Sequence, residues 1–96
     1  MKALVLIIST LSVLFTINSR AEAPAAAATC VACHGEQGKS NNPIWPNLAG
    51  QKEAYLVKQL HDFKSGQRKD PLMTSIALPL SDSDIQSLAK YFSEQK

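Results

Sequence analysis

The sequence predicts a small all-α domain of three to four helices joined by long loops. Residues 51–66 and 81–95 carry apolar side chains at helical spacing, and the alanine-rich residues 24–33 favour a further helix. No segment alternates apolar and polar residues in the way that a half-buried strand requires. The length of 96 residues allows at most one domain.

The N-terminus has the features of a secretory signal peptide. A basic start precedes an apolar run over residues 3–17, and Ser19 and Ala21 follow at the spacing of a cleavage site. We predict that residues 1–21 are removed, with cleavage after Ala23 as the alternative. A membrane anchor would need roughly 20 apolar residues, and this run is shorter and interrupted by Ser and Thr. The leader predicts export to an oxidising compartment, the periplasm.

Residues 22–96 form the predicted mature domain, and their charge excludes one class of partner. The whole sequence carries a formal charge of +2, and removal of Lys2 and Arg20 with the leader brings it to zero. Without an excess of basic residues, nucleic-acid binding has no support. A domain of about 75 residues has a marginal core, so we expect a disulfide, a metal or a cofactor to hold it together.

The first three segments of the domain are a helix, a loop and a second helix. Residues 24–33 should form a short helix that ends near His34. Residues 35–50 contain Gly, Pro and Asn in the proportions of a loop. Residues 51–66 should form a helix that stops at a glycine. Its apolar stripe consists of Leu56, Leu60 and Phe63.

The C-terminal part is predicted to be a second loop and a last helix. Residues 67–80 contain two prolines that prevent a long helix. Residues 81–95 should be helical, with Ser81 as N-cap and Asp84 completing a capping box. The apolar staple and stripe of this helix consist of Leu80, Ile85, Leu88 and Phe92.

The segment Cys30-Val31-Ala32-Cys33-His34 contains both cysteines of the chain. Structural zinc needs four ligands, and only one further histidine exists outside this segment. A thiol–disulfide site places its first cysteine at a helix N-terminus after a strand, whereas this helix should end at the motif. Covalent haem attachment uses every residue of the motif. Both thiols add to porphyrin vinyl groups from one helical turn, and the histidine reaches the iron from the same face. We therefore predict one covalently bound haem c per chain, attached at Cys30 and Cys33, with His34 as an axial iron ligand.

The second axial ligand has two candidates in the mature chain. Met73 lies in a proline-bordered segment among apolar residues, where a thioether can be held against a haem face. His61 is displaced from the apolar stripe of its predicted helix and should face solvent. We predict Met73. Soft thioether ligation favours reduced iron, and a six-coordinate iron favours electron transfer over oxygen or peroxide chemistry.

The order of these motifs resembles class I cytochrome c. CVACHG, PNLAG, a Tyr- and Leu-rich helix, a single later Met and a C-terminal helix with an aromatic residue near its end follow the family's order over residues 24–95. CHGEQGKS, WPNLAGQ, YLVKQL and SGQRKDPLM are similar to one half of the bacterial diheme cytochromes of the c-four type. Those proteins have two such domains, and this sequence contains one.

The resemblance implies a class I cytochrome c fold wrapped around one covalent haem, with the first and last helices crossing. It implies the same attachment cysteines and the same iron ligands, His34 and Met73. It also implies that a proline carbonyl orients the histidine through its Nδ1–H; Pro46 in PNLAG matches the motif best, and Pro43 is its rival. Side chains that could bind the haem propionates are Trp45, Arg68 and Tyr55.

The predicted function is one-electron transport in a respiratory chain, without enzymatic activity or a small-molecule substrate. The expected partners are redox proteins: a membrane cytochrome complex, a terminal oxidase or a periplasmic reductase. The domain would act as a monomer or a weak homodimer. The alternatives are a cytochrome subunit of a periplasmic dehydrogenase and a haem sensor or enzyme with an open iron site.

Overall fold

The structure of the protein is a computed structural model that describes residues 1–15 and 22–96. Residues 1–15 have neither helix nor strand, and their apolar side chains are exposed. Ser19 and Ala21, on which the predicted cleavage rests, lie outside the described residues. Within the two described ranges, no helix combines the length and apolar character needed to cross a membrane.

The prediction of an all-α fold is confirmed. The described residues contain four α-helices, one 3-10 turn and no strand. The helices are α1 (Ala27–His34), α2 (Glu53–Ser65), α3 (Pro71–Ala77) and α4 (Asp82–Ser93), and the 3-10 turn is Glu36–Gly38.

The last helix has the N-terminal cap that its sequence predicts. The Ser81 hydroxyl oxygen accepts a hydrogen bond from Asp84 N at 3.0 Å, and Asp84 Oδ2 accepts one from Ser81 N at 3.0 Å. The bond donated by Ser81 N to the carboxylate, with a smaller contribution from the Ser81 side chain, holds the pKa of Asp84 below its usual value. The predicted staple residues Leu80 and Ile85 are both buried, so the cap also fixes where α4 enters the core.

Helix α3 was not predicted, because residues 67–80 were expected to form a loop. Pro71 begins the helix instead of preventing it, since the first helical position needs no N–H donor. Asp70 caps the helix: its Oδ1 accepts from Leu72 N at 3.0 Å and from Met73 N at 2.9 Å. The segment is therefore a helix of about two turns, with Met73 in its first turn.

Helix α2 is the centre of the packing, in contact with α4 on one side and α3 on another. The first helix joins this core through Ala27 and Cys30, so the α2–α4 contact, and not a crossing of the first and last helices, is the largest helix contact. The buried apolar residues are Ala27, Cys30, Leu56, Phe63, Ala77, Leu80, Ile85, Leu88, Ala89 and Phe92.

Gly38 is the point at which the long loop between α1 and α2 closes on itself. Its carbonyl oxygen accepts hydrogen bonds from Leu48 N at 2.8 Å and Ala49 N at 3.1 Å. The loop end is then tied to the last helix, because Gly50 N donates to the Phe92 carbonyl at 3.0 Å. A Cβ at Gly38 would lie 2.8 Å from both Ala49 N and Phe92 Cδ1, so no larger residue fits.

Gly38→Ala should destabilise the domain far more than Gly66→Ala. Both glycines have positive φ, 78° and 84°, so both alanines meet a similar backbone strain of about 1 kcal/mol. Only the alanine at Gly38 also collides with packed atoms, since a Cβ at Gly66 meets nothing within 4 Å. We expect the free energy of unfolding to fall by about 3 kcal/mol for Gly38→Ala and by about 1 kcal/mol for Gly66→Ala, as measured by denaturant unfolding. Equal losses would show that the close contact at Gly38 is unimportant.

Candidate haem-binding site

Helix α1 places the two cysteines and the histidine of the motif on one side. Cys33 and His34 follow Cys30 by three and four residues, the spacing of neighbours on a helix surface. Cys30 and His34 are buried, with 8% and 6% of their surface exposed, and Cys33 is partly buried. The helix ends directly after the motif because Gly35 has a non-helical backbone, with φ 83° and ψ 164°. Only glycine fits there, since a Cβ would lie 2.0 Å from the Lys39 carbonyl oxygen.

The His34 ring is held by the loop that follows α1. Its Nδ1 lies 2.7 Å from the carbonyl oxygen of Pro46, twelve residues downstream. A carbonyl only accepts hydrogen bonds, so Nδ1 carries the hydrogen and, in the neutral ring, Nε2 has the free lone pair. This is the arrangement of a metal-ligating histidine, whose second nitrogen usually donates to a carbonyl or carboxylate. Of the two prolines considered from the sequence, Pro46 makes this contact.

The two thiols lack the environment of a redox-active pair. They do not form a disulfide, and neither stands at the start of α1, where Cys30 is the fourth residue and Cys33 the seventh. The Cys30 sulfur points toward the Ala26 carbonyl oxygen at 3.8 Å, and burial raises the pKa of its thiol. A thiol used for disulfide exchange needs the opposite shift. In the described ranges, no group of three or more His, Cys, Asp or Glu side chains could hold a metal ion together.

Met73 occupies the third position of α3 and packs, partly buried, against the same core that contains Cys30. Its backbone is fixed by the hydrogen bond from Met73 N to the Asp70 side chain. His61 is partly buried on α2, whereas the sequence predicted that it faces solvent. The structure therefore places Met73 and the α1 motif around one core, and the roles of both as iron ligands stay a prediction.

The residues considered for binding haem propionates lie in different surroundings. The Arg68 guanidinium carbon lies 4.6 Å from the centroid of the Phe63 ring, and Nη1 donates to Gln59 Oε1 at 2.7 Å. The exposed Arg68 side chain thus contacts two residues of α2. Trp45 is partly buried in the loop after α1, and Tyr55 is 47% exposed. Their role toward a propionate stays a prediction.

The composition of the core fits a large apolar cofactor. Among the ten apolar residues buried in the described part of the chain, three are alanines and one is the motif cysteine Cys30. Around them lies a set of apolar side chains that are only partly buried: Ala26, Val31, Leu48, Val57, Leu60, Met73 and Tyr91. Only six large apolar side chains are buried in that part of the chain, which is a small core, and a haem face would cover the partly exposed apolar surface around it.

Comparison with known proteins identifies the family. The sequence pattern of cytochrome c matches residues 20–96. The chain belongs to the cytochrome c family. With Cys30, Cys33 and His34 in the C-x-x-C-H spacing, this cytochrome c domain carries one covalently bound haem c, and the class of fold and the cofactor predicted from the sequence are confirmed.

The chain spans between about a third and about half of the length of the cytochrome c4 relatives that it matches. The chain is 51% identical to cytochrome c4 of Pseudomonas aeruginosa over 72 residues, which are 75% of the chain and 36% of that protein. It is 43% identical to a thiosulfate dehydrogenase electron acceptor of Thiomonas intermedia over 95 residues, 96% of the chain and 44% of that protein. The crystal structure of reduced recombinant cytochrome c4 from Pseudomonas stutzeri has a TM-score of 0.71 and 46% identity, covering 78% of this chain and 46% of that one.

Removal of the cysteines tests their role in attachment. Cys30→Ala and Cys33→Ala should each keep the haem through one thioether, whereas the double variant should release it when the protein is unfolded in acidified organic solvent. The measurement is the mass of the unfolded polypeptide, with or without the added mass of haem. Thr29→Ala, a change at the exposed neighbour of Cys30, should keep the full mass. Retention of haem by the double variant would contradict the assignment.

Proposed function

We propose that this chain is a periplasmic one-electron carrier whose haem iron is bound by His34 and Met73. The observation that carries the proposal is the hydrogen bond from His34 Nδ1 to the Pro46 carbonyl, because it leaves Nε2 of a buried ring available to a metal. The proposal includes removal of residues 1–21 as a signal peptide, which delivers residues 22–96 to the periplasm.

Each site residue has one task in this proposal. Cys30 and Cys33 hold the cofactor covalently, so it cannot dissociate, and the buried His34 fixes one side of the iron. When bound, haem c supplies an iron that gains and loses one electron. Met73 supplies a soft ligand that favours the reduced state. With His34 and Met73 both bound to the iron, no coordination position would be open to a substrate, and the domain would act as a carrier and not as an enzyme.

The proposed partners are redox proteins that dock briefly against the domain. Residues 22–96 have no net formal charge, so long-range attraction by net charge is weak. Large apolar side chains are exposed in the loop after α1, on α3 and directly after α3: Ile44, Leu72 and Leu78. Such side chains suit a small, rapidly dissociating interface with a membrane cytochrome complex, a terminal oxidase or a periplasmic reductase.

A second candidate function is a cytochrome subunit of a periplasmic dehydrogenase. It is favoured by the relative described as a thiosulfate dehydrogenase electron acceptor, which is similar to 96% of this chain. Purification of the protein from its native cells distinguishes the two functions. A carrier elutes at the size of a monomer or weak homodimer, and a permanent subunit elutes together with a dehydrogenase.

Met73→Ala tests the second axial ligand. The oxidised wild-type protein should show a low-spin spectrum with the weak charge-transfer band of a thioether–iron bond, and Met73→Ala should remove that band and make the reduction potential more negative, because a soft ligand that favours reduced iron is lost. Leu72→Ala, the neighbouring exposed residue in the same turn of α3, is the matched control and should keep the band. Optical spectroscopy and potentiometry make the two measurements.

A high-spin spectrum of the wild-type protein would contradict the carrier function and favour a sensor or enzyme with an open iron site. If the wild type is low-spin but Met73→Ala keeps the band, electron transport stands and the ligand assignment is wrong. The partly buried His61 is the residue to replace next.

A further inference from the structure

The Pro46 carbonyl must be aimed at His34 from a segment without regular structure. Pro46 and Asn47 are both exposed, and no helix or strand holds them. Proline has no N–H, so residue 46 cannot anchor itself by donating a backbone hydrogen bond. The peptide unit that joins the two residues is planar, and the direction of the carbonyl therefore depends on how both are held.

Asn47 is tied to both arms of the loop. Its side-chain oxygen Oδ1 accepts a hydrogen bond from Ser40 N at 2.6 Å, across the width of the loop. Its main-chain oxygen accepts from Gln51 Nε2 at 3.3 Å, just before α2 begins at Glu53. The residue that shares its peptide unit with the Pro46 carbonyl is thus fixed from two directions.

The other backbone anchors of this loop lie on either side of that peptide unit. Before it, Trp45 N donates to the Asn42 carbonyl at 3.1 Å. Leu48 N and Ala49 N donate to the Gly38 carbonyl, and Gly50 N donates to the Phe92 carbonyl. These bonds fix the chain up to residue 45 and from residue 48 onward, and the Pro46–Asn47 unit lies between the two anchored parts. The bond between Ser40 N and Asn47 Oδ1 closes that gap.

We propose that Asn47 is a positioning residue that holds the Pro46 carbonyl on His34 Nδ1 and thereby sets how strongly His34 donates to the iron. The inference rests on the proposed function, in which His34 is an axial ligand. A hydrogen bond donated by Nδ1 raises the basicity of the ligating nitrogen, which favours oxidised iron. A loosened carbonyl weakens that bond, so the reduced state gains and the reduction potential becomes more positive.

Asn47→Leu is the central test, because leucine has a similar size and no acceptor. In the reduced, haem-loaded protein, we expect the His34 ring N–H to exchange with solvent about fivefold faster, as measured by NMR, and the reduction potential to become more positive. Asn47→Asp keeps an oxygen that can accept from Ser40 N, so exchange should stay near the wild-type rate. The added charge of Asp shifts the potential by itself, and the exchange rate is therefore the readout for that variant. Asn41→Ala, a change at an exposed asparagine of the same loop, should alter neither quantity.

Several outcomes would overturn the inference. One is a wild-type exchange rate of the His34 ring N–H together with a wild-type reduction potential in Asn47→Leu. Another is a change in Asn41→Ala as large as that in Asn47→Leu. A third is fast exchange of the ring N–H in Asn47→Asp. If Asn47→Leu does not fold, Asn47→Ser replaces it, since its shorter side chain does not reach Ser40 and the same two changes are required. The wild-type spectrum distinguishes a failure of the proposed function from a failure of the proposed role of Asn47. A wild type without axial histidine ligation rejects the proposed function, whereas an unaffected Asn47→Leu in a low-spin protein rejects only the role of Asn47.

Discussion

The hydrogen bond between His34 Nδ1 and the Pro46 carbonyl is the contact on which the arrangement of this domain depends. It joins the end of α1 to a loop that has no regular structure of its own. For the two atoms to meet, α1 must stop at Gly35 and the chain must turn back at once. The loop must then close on Gly38, and its far end must be held by the last helix. Four separate parts of the chain thus cooperate to fix one ring nitrogen.

Helices with clear caps and apolar stripes could be predicted from the sequence. The capping box of Ser81 and Asp84 and the stop at Gly66 lie where local chemistry places them, because each depends on residues only a few positions apart. Helix α3 was not predicted because the effect of Pro71 depends on its position in the helix. A proline blocks the interior of a helix but suits its first turn, and only the hydrogen bonds made by Asp70 distinguish the two cases.

In the candidate site, too, the features set by local spacing could be predicted, and those set by loop closure could not. The C-x-x-C-H spacing is local, so Cys30, Cys33 and His34 were evident without a structure. The contact of Pro46, and the cross-loop bond from Ser40 to Asn47, depend on how a loop of Gly, Pro and Asn closes, which no periodicity encodes. The burial of His61 was misjudged, because helical spacing gives a direction around α2 but not how far the neighbouring elements extend over it.

Because α3 is short, the methionine side of the proposed iron site is held less firmly than the histidine side. His34 belongs to a helix end that is buried and bonded to a distant loop, whereas Met73 belongs to a seven-residue helix held at its start by Asp70. A helix of that length has no stability of its own in water. Local opening of the domain should therefore begin at α3, while the rest remains folded. The methionine side is then the face where foreign ligands would first gain access, and the histidine side would persist until global unfolding.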